Sequence, residues 1–268
     1  MALVSSGLGS TLRCSGNGTR RRTMPEQPSG QGARAPWGNV LLQSFPAELQ
    51  KSLESELEPV NLPTGSIIAA AGRPVRVIYF PVDAVVSLLH TDDEGASAQV
   101  GLVGWDGMLG LGACFGAPHR STALVLAGGL ALRCNAQPLQ DAFEHCPSVR
   151  RNILAWSGNL LGQAWQIALC NRHHAPAPQL CSLLLLVMDR GAHGELSMTH
   201  DLIARLLGLR RETISQAAMR VQERGYVRYT RGHIRVLDRQ GLEEMSCGCW
   251  RSAALAPHMP PEPAVTTG

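Results

Sequence analysis

The sequence predicts an α+β chain with three parts: a strand-rich N-terminal half, a long helix, and a C-terminal pair of short helices followed by a β-hairpin. Three patterns lead to this fold class. Apolar residues alternate with period two between residues 75 and 134, recur at near-heptad spacing from 148 to 171, and follow two short helical periods between 199 and 224. With 268 residues, the chain is long enough for two domains with separate hydrophobic cores.

Composition and charge place the chain among ordinary globular proteins. Hydrophobic residues make up 44% of it and the formal net charge is only +3, so any strongly basic surface is local. No apolar run reaches the roughly 18–20 residues that a membrane span needs, and the eight cysteines show no regular spacing. We therefore expect a cytoplasmic protein from a reducing compartment, with no membrane segment and no disulfide scaffold.

The most informative stretch runs from residue 196 to 237. Its first helix begins after Thr199, a plausible N-cap, and ends at Gly208, a residue that readily adopts the left-handed conformation of a helix C-terminus. The second helix has an apolar face and a polar, basic face. A hairpin that turns at Arg231 and Gly232 follows. Two short helices joined by a glycine-containing turn, followed by a hairpin, form the pattern of a winged helix-turn-helix.

Arginine is concentrated in this C-terminal stretch. Guanidinium groups suit phosphate oxygens and the guanine edge, and a helix of this size fits the major groove, so the pattern predicts binding to double-stranded DNA. A small helical domain with a solvated basic surface is the alternative. The hairpin and the Arg211-Glu212 pair at the start of the second helix favour DNA. The arginines are Arg205, Arg210, Arg211, Arg220, Arg224, Arg228, Arg231, Arg235 and Arg239.

The run LGLRRETISQAAMRVQERGYVRYTRGHIRVLDRQGLE resembles the C-terminal winged helix-turn-helix of the catabolite activator and fumarate–nitrate regulator (Crp/Fnr) family. That family's recognition helix commonly begins with an Arg-Glu-Thr-Val-type run, which residues 211–214 match. The resemblance implies that Arg211 and Glu212 read base edges. A second Arg follows four residues after the Glu in the family, whereas Gln216 stands there in this chain. Because Gln pairs best with adenine and Arg with guanine, the operator cannot be taken from the family.

The motif and the resemblance together imply a homodimeric transcription regulator on a pseudo-palindromic site, with two recognition helices about 34 Å apart. Phosphate contacts are then expected from Thr199, Ser215 and Arg220, and from Arg231 and His233 in the hairpin. RNA polymerase is implied as a further partner by the resemblance alone. Activation or repression is left open.

The N-terminal half carries short strands every eight to twelve residues, separated by Gly, Asp and Pro, which predicts an all-β sandwich or barrel. The resemblance makes this a cyclic-nucleotide-binding-like β-roll (jelly roll). One helix is expected within residues 40–58, one over 141–146, and a buried one over 180–188. The predicted division is residues 1–36 as a disordered tail, 37–147 as the β-roll, 148–174 as a long dimerisation helix, 175–250 as the DNA-binding domain and 251–268 as a disordered tail.

The predicted long helix carries an apolar stripe at near-heptad spacing, made of Ile153, Leu154, Leu160, Leu161, Ala164, Ile167 and Ala168. Simple packing against the β-roll would explain the stripe. The resemblance makes this the dimerisation helix, and the spacing agrees with a coiled-coil-like seam. The predicted dimer contacts are Leu154, Leu161, Ala164 and Ala168.

The sequence argues against a cyclic nucleotide as the ligand. In the family, a glycine-rich turn, a Glu for the ribose hydroxyl and an Arg for the cyclic phosphate are needed. Arg120 and Ser121 match the Arg end of this pattern, but Leu111 follows the Gly107–Gly110 turn and no carboxylate lies between Asp106 and Arg120. An unpaired buried polar partner costs about 1–3 kcal/mol. Gly107, Gly110, Arg120 and Ser121 remain a candidate pocket for an unidentified small-molecule effector, and no cofactor is predicted.

Two groups of soft ligands stand out: Cys170 with His173 and His174, and Cys247 with Cys249. A metal site needs about four converging ligands, and neither group supplies them alone, so no metal site is predicted. A metal- or redox-sensing regulator of the same fold, acting through the three cysteines, is kept as an alternative. The family's oxygen-sensing branch uses an N-terminal cysteine cluster, whereas this chain has only Cys14 there.

Motifs for enzyme chemistry are absent from the sequence. It contains no Gly-x-Ser-x-Gly elbow, no His-Glu-x-x-His pair and no P-loop, so we do not expect an enzyme. A cupin-like β-barrel that binds a small molecule or metal is a rival from another class. It would need converging His and carboxylate ligands on the strands, and His90 and His119 are too few and too isolated to favour it.

Overall fold

A computed structural model describes residues 38–191 and 195–253. The predicted N-terminal tail with Cys14 lies outside the described residues, as does most of the predicted C-terminal tail. The first residues of that C-terminal segment continue a helix to Ala253. Within the described part of the chain, no helix is both long and apolar enough to cross a membrane.

Helices and strands follow the predicted order of a strand-rich half, a long helix and a helix-turn-helix with a hairpin. The helices are α1 Val40–Gln43, α2 Ala47–Glu54, α3 Gln137–His145, α4 Pro147–His173, α5 Pro176–Asp189, α6 His200–Leu207, α7 Arg211–Glu223, α8 Arg239–Met245 and α9 Cys249–Ala253. The strands are β1 Glu58–Leu62, β2 Ile67–Ala69, β3 Val77–Pro81, β4 Val85–Thr91, β5 Ser97–Val103, β6 Thr122–Ala127, β7 Gly129–Asn135, β8 Glu195–Ser197, β9 Val227–Thr230 and β10 His233–Val236. A 3-10 helix covers Leu111–Phe115.

The first seven strands form two antiparallel sheets, in the orders β1-β7-β3 and β2-β6-β4-β5. Their inner faces enclose one core, in which Ile78, Phe80, Val86 and Val125 are fully buried. Because side chains alternate along a strand, the neighbours of these residues point out of the roll. The predicted all-β unit is confirmed, and together with the C-terminal helices it makes the α+β fold.

The single helix expected within residues 40–58 is wrong in detail. The chain forms α1 and α2 with a break at Ser44–Pro46, and Glu58 already belongs to β1. Pro46 explains the break, because it has no N–H to donate and it disfavours a helical conformation in the preceding Phe45. Leu42 and Leu53 then cover one end of the roll as fully buried side chains.

A second core joins the β-roll to the C-terminal domain. Val85 and Leu102, on the outer face of the four-stranded sheet, belong to the same buried cluster as Leu184 of α5 and Ile203 of α6. Helix α5 is buried along most of its length, which agrees with its unbroken run of apolar residues. The two parts of the chain therefore share one continuous apolar interface.

A buried ion pair strengthens this junction. Arg190, directly after α5, lies 3.1 Å from the Asp106 carboxylate of the β-roll, and the two side chains are 3% and 7% exposed. The Trp105 indole N–H donates to the carbonyl oxygen of Asp189 at 3.2 Å. Polar contacts thus hold the end of α5 against the loop after β5.

Candidate nucleic-acid interface

Helix α6 begins and ends at the predicted residues. The Thr199 hydroxyl oxygen accepts the backbone N–H of Leu202 at 3.1 Å, which is the hydrogen bond of an N-cap. Gly208 ends the helix with φ +64, a conformation that favours glycine because it has no Cβ. The turn that follows brings Arg211, the first residue of α7, beside Asp201 in the first turn of α6.

Helix α7 is amphipathic in the predicted sense. Its inner face packs into the core through the predicted residues Ile214, Ala217, Ala218 and Val221. Its outer face leaves polar and basic side chains exposed to solvent. These exposed side chains are Arg211, Glu212, Gln216, Arg220, Gln222 and Glu223, and the apolar Met219 is exposed among them. All three predicted base-reading residues therefore lie on one accessible helix face.

Two of the predicted DNA contacts on α7 have partners within the protein. The Arg211 Nε atom lies 3.5 Å from the Asp201 carboxylate, and both side chains are about two-thirds exposed. The Ser215 hydroxyl donates to the carbonyl oxygen of Arg211 at 3.0 Å and contacts His200 Nδ1 at 2.9 Å. Arg211 must therefore leave an exposed carboxylate to reach a base, and Ser215 has already used its donor.

The hairpin at residues 227–236, which we call the wing, pairs in register from Val227↔Val236 to Thr230↔His233. Its turn places Arg231 at φ +48 and Gly232 at φ +86, as in a two-residue turn with two left-handed residues. Arg231 is the one described non-glycine residue with positive φ. Arg231 thus adopts the left-handed conformation, which is energetically unfavourable for a residue with a Cβ.

A third strand and an aromatic contact support the wing, and both were missed from sequence. Strand β8 pairs with β10 and places Glu195 3.5 Å from His233 Nδ1. The rings of His200 and Tyr229 lie 4.4 Å apart, and the Tyr229 hydroxyl donates to the Met198 carbonyl. Strand β8 has three residues, which are too few for a periodicity signal. The contact between His200 and Tyr229 spans 29 positions and leaves no local pattern in the sequence.

Burial shifts the pKa of both aromatic partners. The pKa of His200 is lowered from its ordinary value of 6.5, first by burial and then by the nearby Arg211 charge. Burial, with a smaller contribution from Asp201, raises the pKa of Tyr229 to about 12. Both groups are therefore neutral near pH 7, which suits their packing between α6 and the wing.

The long helix α4 presents two different apolar faces. Ile153 and Trp156 are buried against the β-roll, whereas Leu154, Leu161, Trp165 and Leu169 are 54%, 50%, 67% and 51% exposed. Counting Ile153 and Leu160 in one stripe with Leu154 and Leu161 was therefore wrong, because the former pair packs with the core of the roll. Trp165 and Leu169, which the sequence analysis did not select, belong to the exposed face.

The exposed face of α4 follows heptad spacing. Leu154, Leu161 and Ala168 recur every seven residues, and Gly158 and Trp165 lie four residues after the first two. A Cβ at Gly158 would meet no atom within 4 Å, so the backbone is open to a neighbour there. Ala164 is half-buried beside this face.

The four candidate pocket residues stand in different surroundings. Gly107 is buried under Trp156, and an added Cβ would clash with the Nε1 atom of that indole ring. Gly110 is buried with φ +100 at the start of the 3-10 helix, Arg120 is exposed, and Ser121 is half-buried. Leu111, which occupies the position where a carboxylate was sought, is the first residue of that 3-10 helix.

The two groups of soft ligands, treated separately in the sequence analysis, come together at the end of α4. Ligand atoms of Cys170, His174, Cys247 and Cys249 all lie within 4.8 Å of one another. The three cysteines are free thiols. His173 is not a member of this cluster. Cys170 and Cys247 are 77 positions apart in the sequence, and the packing of α9 against α4 and α5 brings them together.

Comparison with known proteins agrees with the geometry of the C-terminal domain. Residues 178–245 match the Crp-like helix-turn-helix domain, and this span includes α6, α7 and the wing. The C-terminal domain of this chain is therefore similar to that of Crp-like regulators. The chain is thus similar to Crp-like transcription regulators and carries a helix-turn-helix DNA-binding domain of their kind.

Relatives extend the similarity over most of the chain. A "CRP-like cAMP-activated global transcriptional regulator" of Mycobacterium tuberculosis is 25% identical over 199 residues, which are 71% of this chain and 89% of the relative. The "Transcriptional regulator SdrP" of Thermus thermophilus is 26% identical over 197 residues, which are 70% and 94% of the two chains.

Solved structures show the same fold. A Crp/Fnr-family regulator from Eubacterium rectale has a TM-score of 0.61 at 19% identity, with coverage of 76% of this chain and 96% of the other. FixK2 from Bradyrhizobium japonicum has a TM-score of 0.58 at 20% identity, with coverage of 71% and 97%. The predicted combination of a cyclic-nucleotide-binding-like roll and a C-terminal helix-turn-helix is thereby confirmed.

Proposed function

We propose that this protein acts as a homodimer that reads a pseudo-palindromic DNA site with α7 of each protomer and does not require a cyclic nucleotide. The observation that carries the proposal is the outer face of α7. That face is polar, accessible and opposite an apolar face that is anchored in the core. A helix held in this way can enter a major groove without unfolding its domain.

Base reading is assigned to Arg211, Glu212 and Gln216. Arg211 can donate two hydrogen bonds to guanine, Glu212 can accept from cytosine, and the Gln216 amide pairs with adenine. Asp201 supports this assignment indirectly, because it holds Arg211 through a contact that is two-thirds exposed and therefore weak. Exchange of that contact for a guanine edge costs little.

Phosphate contacts are assigned to Thr199, Ser215, Arg220, Arg231 and His233. Thr199 lies at the N-terminus of α6, where free backbone N–H groups and the helix dipole favour an anion. The wing carries its exposed Arg231 at the tip. Ser215 is the weakest member of this set, because its hydroxyl proton already goes to the Arg211 carbonyl.

Dimerisation is assigned to the exposed face of α4, with Leu154, Leu161, Ala164 and Ala168 as predicted and Trp165 added. Exposed large apolar side chains that recur on one helix face favour a partner helix, because their burial contributes roughly 25 cal/mol per Å². RNA polymerase is the expected partner of the DNA-bound dimer by family resemblance.

Independence from cyclic AMP is proposed although one relative is named as activated by it. Leu111 cannot accept a ribose hydroxyl, and Gly107 is occupied by packing under Trp156. The Arg120 side chain is exposed rather than directed into a closed pocket. A different small-molecule effector remains compatible with this arrangement.

Selection from fragmented genomic DNA tests the proposal. Purified protein without added ligand is incubated with fragments at physiological salt, and the retained DNA is sequenced. We expect an enriched two-fold symmetric motif with half-sites one helical turn apart. Arg211→Ala should lose roughly 1–3 kcal/mol of preference at one position of each half-site. Arg73→Ala, an exposed substitution in the β-roll, is the matched control. Enrichment only after cyclic AMP is added would contradict the proposal.

A further inference from the structure

Two short segments with soft ligands meet where α4 ends. Helix α4 presents Cys170 and, one turn later at its C-cap, His174, so both side chains point the same way. Cys247 lies between α8 and α9, and Cys249 is the first residue of α9. The Sγ atoms of Cys170 and Cys247 lie 3.4 Å apart, and the Cys249 Sγ atom lies 3.4 Å from His174 Nδ1.

These distances fit ligands of a single ion. A tetrahedral zinc ion bonds sulfur at about 2.3 Å, which places two thiolates on it about 3.8 Å apart. The four ligand atoms lie within 4.8 Å of one another, so small side-chain rotations bring them to that spacing. An iron–sulfur cluster spreads its four protein ligands over two or four irons and therefore needs a wider arrangement.

A disulfide explains the cluster less well. The Sγ atoms of Cys170 and Cys247 are farther apart than the about 2.05 Å of a disulfide, and all three cysteines are thiols. A disulfide between Cys170 and Cys247 would leave Cys249 and His174 without a role. Three thiols and an imidazole are instead the complete ligand set of a structural zinc site.

Side chains of α5 hold the ligands in place. The Gln179 amide donates to the carbonyl oxygen of His174 at 2.7 Å and to that of Cys170 at 3.3 Å, which fixes the last turn of α4. The Ser182 hydroxyl lies 3.1 Å from Cys247 Sγ, where it can donate to a thiolate. Such supporting partners orient ligands and strengthen metal sites.

A cavity borders the cluster. A cavity of about 40 Å³ lies between α4, α5 and the C-terminal segment, and its lining includes Cys170, Cys249, Gln179 and Trp250. A space of this size holds at least one water molecule, so a hydrated ion can exchange its water for the ligands.

We propose that Cys170, His174, Cys247 and Cys249 bind one zinc ion per chain. Binding releases the three thiol protons to solvent and uses the imidazole in its neutral form, so the occupied site carries a net charge of minus one. The ion ties the C-terminal end of α4, which carries the proposed dimer face, to the last helix of the DNA-binding domain.

Metal content and cobalt spectroscopy of the full-length protein test the site. We expect about one zinc per chain in protein purified under reducing conditions. Co²⁺ titrated into protein from which a chelator has removed the metal should give the intense visible bands of tetrahedral Co²⁺ and a sulfur-to-cobalt charge-transfer band. Cys249→Ser and His174→Ala should lose the metal, and Ser182→Ala should weaken binding roughly 10–100-fold. Cys134→Ser, which removes a buried thiol of the β-roll, is the matched control and should keep it.

The cobalt titration of the unsubstituted protein decides the matter even if a variant fails to fold. Absence of tetrahedral cobalt bands would overturn the proposal, and so would equal metal binding by Cys249→Ser and the unsubstituted protein. A Cys170–Cys247 disulfide in the isolated protein, or stoichiometric iron and sulfide, would overturn it as well. None of these measurements uses DNA, so failure of the zinc site is distinguishable from failure of the proposed DNA recognition.

Discussion

Removal of the positive charge from the buried Asp106–Arg190 pair should destabilise the protein strongly. At 3.1 Å, two unit charges attract by about 5 kcal/mol at an effective dielectric constant of 20, and burial of both groups offsets much of that gain. Arg190→Met keeps the aliphatic stem that packs over Gly104 but leaves the Asp106 carboxylate buried. We expect a loss of roughly 3–5 kcal/mol in the free energy of unfolding.

Urea unfolding, followed by tryptophan fluorescence at a fixed protein concentration, measures this loss. The matched control is Arg133→Met, which breaks the 2.8 Å pair with Glu58, whose side chains are 44% and 59% exposed. The control should cost less than about 1 kcal/mol. The double variant Asp106→Asn with Arg190→Met should recover part of the stability, because no buried charge remains. Equal losses for Arg190→Met and Arg133→Met would refute the reasoning.

Three further perturbations test the wing, the dimer face and the His200 contact. Arg231→Asn should stabilise the wing by a fraction of the roughly 1–2 kcal/mol that a left-handed conformation costs, which thermal melts measure. The same substitution should lower the salt dependence of DNA binding by about one phosphate contact, which salt titrations measure. An unchanged salt slope would contradict the phosphate role of Arg231. Leu161→Glu should give monomers in light scattering, whereas Asn159→Ala off the stripe should not; a dimeric Leu161→Glu protein would exclude this face. Because the pKa of His200 is lowered in the folded state, the unfolded chain binds more protons, and the free energy of unfolding falls as the pH drops below about 6.5. His200→Gln should flatten this pH dependence in thermal melts from pH 7.5 to 5.5. Identical pH profiles of the two proteins would contradict the lowered pKa of His200.

Local patterns in the sequence were sufficient for the helix-turn-helix. The N-cap at Thr199, the left-handed residue at Gly208 and the buried face of α7 each depend on contacts within a few residues, so their signals are carried by spacing alone. The turn at Arg231 and Gly232 is equally local. The family resemblance added the roles of Arg211 and Glu212, which spacing cannot supply.

Spacing could not separate the two apolar faces of α4. Ile153 and Leu154 are adjacent and equally hydrophobic, but the first is fully buried and the second is half exposed. Which of them faces the roll depends on how the whole helix is rotated against the sheets. That rotation is a property of packing between elements, so the exposed Trp165 could be recognised only in the folded chain.

The sequence by itself determined the order of the three main parts, the limits of the helix-turn-helix and the polar face of α7, because each follows from interactions between near neighbours. Only the tertiary structure decided that Cys170 and His174 meet Cys247 and Cys249, and that Asp106 is buried against Arg190. These residues are separated by 73 or more positions in the first case and by more than 80 in the second. Contacts across such distances arise from the joint packing of α4, α5 and the β-roll, and no local period encodes them.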